Sequence, residues 1–104
     1  MELSNLEILP GRTITRHLGL VQGSTVRAKH VGRDILASLR NFVGGELKAY
    51  TELLVESRQE AIERMVQQAQ AAGANAVVNI RFSTSNVAAG AAEVMAYGTA
   101  VVVE

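Results

Sequence analysis

The segment Glu93 to Val103 constrains the chain most, because it reads as a strand with two apolar faces. Alternation puts Val94, Ala96, Gly98, Ala100 and Val102 on one side, while Met95, Tyr97, Thr99, Val101 and Val103 follow Glu93 on the other. A sheet covered by one helix layer needs a single greasy face. The second face demands cover of its own, and the remaining sequence offers no spare helix for it. Self-association is the simplest source of that cover, so a homo-oligomer is expected.

The other elements follow from period and punctuation. Pro10-Gly11 is a turn signal, and the first regular element is expected just after it. From Thr13 to Val21, Ile14, Leu18 and Leu20 share one side and Thr13, Thr15 and His17 the other, which predicts a half-buried strand. Gly19 and Gly23 interrupt it and suit a bulge or bend. Thr25 to Val31 continues extended, with Val26 and Ala28 opposite Arg27 and Lys29. The period then lengthens. Ile35, Leu36, Leu39, Phe42 and Val43 predict a short amphipathic helix over about Val31–Phe42, ended by Gly44-Gly45. A longer helix is predicted over about Leu47–Ala72, with a stripe of Leu47, Tyr50, Leu54, Ala61, Met65, Ala69 and Ala72 widened by Ile62 and Val66. Gly73 stands where a helix stop belongs. Ala76 to Phe82 alternates Ala76, Val78, Ile80 and Phe82 against Val77, Asn79 and Arg81, a further strand. Ser83 to Gly90, small and polar, reads as a hairpin loop.

Composition narrows the function classes. With 104 residues, one domain over 1–104 is expected. Aromatic residues are only 4%, so the core must come from aliphatic side chains and Met, which again favours burial between subunits. No apolar run reaches the ~18 residues of a membrane span, and Met1 to Pro10 lacks a leader pattern, so a cytoplasmic protein is expected. The absence of cysteine removes disulfides, thiolate nucleophiles and thiolate metal sites together. Ten basic residues balance ten acidic ones, and neither nucleic acid nor membrane is expected as a partner. The charges are unevenly placed. Residues 11–40 carry six basic groups against Asp34, a net of +5, whereas 41–64 carry five glutamates against Lys48, Arg58 and Arg64, a net of −2.

The ordered set Gly19-Leu20-Val21-Gln22-Gly23, Gly32-Arg33-Asp34, Gly44-Gly45 with Tyr50 a turn later, Ala69 to Val78, and Gly98-Thr99-Ala100-Val101 resembles the YbjQ family over nearly the whole chain. The resemblance implies an α+β domain similar to the dodecin subunit: a β-α-β-β two-layer sandwich of antiparallel sheet and one long helix, with a short extra helix. It also implies a ring-shaped homopentamer, and an uncharacterised protein carrying a heavy-metal-binding label. The family's Tyr-Glu pair reads Tyr50-Thr51 here, with Glu52 one place later.

Candidate chemistry is sparse. His17 and His30 are the only imidazoles, and thirteen positions apart they match no local ligand spacing. They read as surface or interface histidines, or as ligands gathered from several copies around a ring. Gly44-Gly45 reads as a helix terminator with a hinge, or as amides meeting an anion. Arg33-Asp34 reads as a helix-start pair, Asp34 favouring the dipole. Arg33, Asp34, Gly44, Gly45 and Tyr50 are the residues put forward for a small ligand. Glu52, Glu56 and Glu60 form a stripe that reads as a solvated face, a pairing surface for Arg12, Arg16 or Arg27 of a neighbour, or a hard-cation site. No nucleophile elbow or catalytic constellation is present, so no enzyme is expected. A ligand-binding module is the first functional reading and a metal-binding protein the second.

Overall fold

Among the described residues, four strands and one long helix build an α+β fold in two layers. The computed structural model describes residues 1–26, 47–88 and 91–104, with backbone alone at 47–51, 53, 86–88 and 91. The elements are β1 (Glu2–Leu3), β2 (Ile14–Val26), α1 (Leu47–Ala71), β3 (Ala76–Ala88) and β4 (Ala91–Val103). Spatial order is β1-β3-β4-β2. The β2–β4 and β4–β3 pairs are antiparallel, as expected, whereas β1 adds a two-residue parallel edge to β3. That edge precedes Pro10-Gly11, where no regular element was expected, since two residues are too few to show a period. The short helix expected over 31–42 lies outside the described residues.

The two faces of β4 part as alternation requires. Val94, Ala96 and Ala100 join Val21, Val77, Ala61, Met65 and Ala69 in the main core beneath α1. Val101 and Val103 join Ala76 and Val78 in a second core on the opposite face, and Leu9 packs against it. The cover that seemed to require another copy is supplied in part by the chain's own N-terminal arm. Backbone bonds fix the arm: Glu2 N donates to Asn75 O at 3.2 Å, Ser4 N to Val77 O at 2.9 Å, and Thr13 and Glu104 exchange bonds of 3.0 and 2.9 Å.

On α1 the buried stripe is Ser57, Ala61, Met65 and Ala69, one residue every four. Three of these are small, so the helix comes close to the sheet. Gly23 occupies the closest point: a Cβ there would collide with Ala61 O and Met65 N of the helix backbone. Leu54, expected to pack on the sheet, is 37% exposed, and Ala72 lies in the turn beyond the helix. The terminator reading of Gly73 is correct: its φ is 91°, and Ala74 N reaches back to Ala69 O at 3.0 Å, a Schellman closure.

Strict alternation fails in two strands. Register shifts between Ile14/Arg16 and His17/Gly19 put Leu18 against the main core but leave Leu20 71% exposed, so the two do not share a side. In β3 a shift between Val78 and Arg81, with Asn79 at φ 57°, turns Ile80 toward α1 although Ala76 and Val78 face away. Each bulge inserts one residue and inverts everything after it. The stretch 83–88, expected as loop, continues β3 opposite β4.

Candidate functional site

The expected site residues are scattered or lie beyond view. His30, Arg33, Asp34, Gly44 and Gly45 lie outside the described residues, and Tyr50 stands in the first turn of α1. His17 is an exposed β2 residue opposite Val101. Among the described residues, no group of three or more His, Cys, Asp or Glu is placed to hold a metal ion. Also among them, no helix is long and apolar enough to cross a membrane. The glutamate stripe is mostly open: Glu52 and Glu56 are exposed, while Glu60 pairs with Arg64 at 2.9 Å, as their spacing of four predicts. Arg12, a candidate partner for a neighbour's glutamates, bonds Glu2 of its own chain at 2.8 Å.

Chemistry gathers instead on the sheet face turned away from α1. Residues directly opposite in a ladder share a face. Tyr97 of β4 is opposite Gln22 of β2 and Arg81 of β3, so the three form one row across three strands. They fall on the side of Val101 and Val103, because β4 runs without a shift of its own from Glu93 to Val103. Leu20 and Thr99 make the next row on one side, and Ser24, Met95 and Ser83 the next on the other. Tyr97 is half-buried, and Arg81 and Gln22 are exposed.

The arm forms a step beside this row. Asn79 N donates to Leu6 O at 2.7 Å and Ile80 N to Ser4 O at 3.1 Å, so the bulge turns its amides to the arm. Ser4 Oγ accepts from Leu6 N at 3.0 Å and donates to Ile8 O at 3.0 Å, fixing the turn. Arg81 Nη1 donates to Asn5 O at 2.7 Å and Ile80 O at 2.9 Å. Both partners are neutral carbonyls, and among the described residues no carboxylate pairs with Arg81. The edge of β2 is treated differently: Gln68 Oε1 accepts from Gln22 N at 2.6 Å, and Arg64 Nη1 donates to Ser24 O. Helix side chains thus occupy edge groups that another strand would otherwise take.

Sequence reasoning passed over Gln22, Arg81 and Tyr97 as ordinary strand residues. One signal was present: Asn79, a residue tolerant of the left-handed region, in mid-strand just before Arg81.

Comparison with known proteins places this geometry in context. A family model described as "Putative heavy-metal-binding" matches residues 1–104. A UPF0145 protein of Hahella chejuensis is 64% identical over 104 residues, covering 100% of both chains. One from Archaeoglobus fulgidus is 57% identical over 99 residues, 95% of this chain and 92% of that one. A crystal structure from Pediococcus pentosaceus, a DUF74-family protein of unknown function, superposes with a TM-score of 0.66 over 100% of this chain and 98% of the other. At 16% identity that likeness concerns the fold alone.

Proposed function

The chain belongs to the YbjQ family, and from that premise we propose a non-enzymatic cytoplasmic protein that assembles with copies of itself, as a pentamer, and binds a small ligand where subunits meet. The exposed apolar surface carries the reading. Among the described residues ten large apolar side chains stay exposed, including Met1, Leu3, Leu6 and Ile8 of the arm and Leu20 and Val26 of β2. Single exposed aliphatics are ordinary, but four on one short arm, with Leu20 and Val26 exposed along the opposite edge strand, favour an interface. The arm and β2 lie at opposite edges of the sheet, so contact between them would be head-to-tail, the kind that closes rings. Light scattering across a dilution series tests this. The expected mass is about five times 11.1 kDa, and a persistent 11.1 kDa particle overturns the assembly.

The family description supports a second reading, metal binding. Ring symmetry would have to multiply His17, His30 or the helix glutamates, since the described residues of one copy gather no ligand set. Elemental analysis of protein purified without chelator decides it. About one metal per subunit or per ring supports the reading, and metal absent even after dialysis against zinc or nickel ends it.

A further inference from the structure

We propose that the row Gln22–Tyr97–Arg81 binds a planar aromatic anion, a single ring bearing one carboxylate. This deepens the ligand part of the reading above and rests on it. The three residues come from neighbouring strands in continuous register, so their backbones span about 10 Å at the usual strand spacing. The half-buried Tyr97 ring forms the middle of the floor and offers a stacking surface. Among the described residues its hydroxyl has no hydrogen-bond partner, nor has the Gln22 side-chain amide. Among the described residues Arg81 bonds through Nη1 alone, to Asn5 O of the arm and Ile80 O of β3, which leaves Nη2 and Nε to donate to a carboxylate. Leu20 and Met95 flank the row with apolar surface for the ring edge.

The donor set also argues against other ligands. One guanidinium with a neutral phenol and amide matches a single negative charge, whereas a phosphate dianion asks for more cations or a nest of amides. A hard cation would need several oxygen ligands, and among the described residues no group of three or more His, Cys, Asp or Glu is placed to supply them.

The test exploits aromatic scarcity. The chain has two tyrosines and no tryptophan, so Tyr50→Phe leaves Tyr97 as the single tyrosine ring seen by NMR. Benzoate and nicotinate are titrated against their neutral counterparts benzamide and nicotinamide. Saturable shifts of the Tyr97 ring are expected with the carboxylates, at affinities about tenfold or more above those of the amides. Arg81→Gln should remove that preference, and Arg58→Gln on the exposed helix should keep it. Because Arg81 also holds the arm, Gln22→Leu provides a second variant that leaves those contacts alone, with an expected loss of about threefold to tenfold. Equal binding of amides and carboxylates, an unaltered preference in Arg81→Gln, or no saturation by millimolar ligand overturns the site. So does a Tyr97 signal that responds to protein dilution but not to ligand, which assigns the face to a second copy. Light scattering on the same samples separates the two readings: a monomer that binds benzoate sinks the assembly alone, and a pentamer that does not bind sinks the site alone.

Discussion

Asn79 donates its backbone N–H to the Leu6 carbonyl at 2.7 Å from a left-handed conformation, φ 57°. The bulge and the arm are therefore one device: the extra residue turns its amide away from β4, and the arm accepts it. Asn is among the few side chains that occupy this region at little cost. Asn79→Gly should leave stability within about 0.5 kcal/mol, whereas the β-branched Asn79→Val should cost about 1–2 kcal/mol. Urea denaturation measures both. Hydrogen exchange at Ser4 and Ile80, which are bonded in the arm junction, should rise in Asn79→Val before the rest of the sheet responds.

The same residue shows why part of the fold was legible in the sequence and part was not. The faces of β4 were read correctly because 93–103 contains no irregularity, and alternation holds from Val94 to Val102. The helix and its Gly73 stop were legible for a similar reason, being local and periodic. Ile80 was misplaced because a single inserted residue inverts every later side chain, and Asn79, though tolerant of the left-handed region, is a hint of a bulge that does not fix where the register shifts. Leu20 went the same way through the shift before Gly19. The arm was illegible for a different reason: β1 has two residues, and its hold depends on partners more than seventy positions away, such as Asn75 and Val77. The Gln22–Tyr97–Arg81 row becomes visible only when both registers are known.

Gly23 should tolerate no side chain. A Cβ there would strike Ala61 O and Met65 N, and would lie 2.8 Å from Arg64 Cβ. Two of the three obstacles are helix backbone, which cannot rotate away as a flexible side chain does. Gly23→Ala should therefore cost about 2–3 kcal/mol, the upper part of the range for overpacking. A drop in the urea midpoint with unchanged slope would confirm a loss of native stability; a cost below 0.5 kcal/mol would mean that α1 sits farther from β2.

Two positions on the helix separate real from apparent core. Met65 is fully buried at the centre of the main cluster, and Met65→Ala should cost about 2–5 kcal/mol through lost transfer energy and a residual cavity. Leu54 belongs to the same apolar stripe in the sequence but is 37% exposed, so Leu54→Ala should cost about 1 kcal/mol or less in the isolated chain. Thermal melts suffice, since each kcal/mol moves the midpoint of a domain this size by about 4–8 °C.

Leu20 distinguishes stability from assembly. At 71% exposure it contributes little to the fold of one copy, so Leu20→Lys should leave the urea midpoint of the dissociated chain unchanged. A charge in a buried contact between copies is another matter, because desolvating an unpartnered ammonium is costly. If β2 meets a neighbour's arm, sedimentation velocity should show Leu20→Lys dissociating at a concentration at least about tenfold higher than the parent chain. Leu6→Glu, on the arm's exposed side, should do the same from the other half of such a contact, and if the contact is heterologous, Leu20→Lys and Leu6→Glu mixed together should recover part of the association through the new Lys–Glu pair. Recovery in the mixture but not in either variant alone would identify the joint as β2 against the arm. Unchanged association in both variants would place the junction elsewhere.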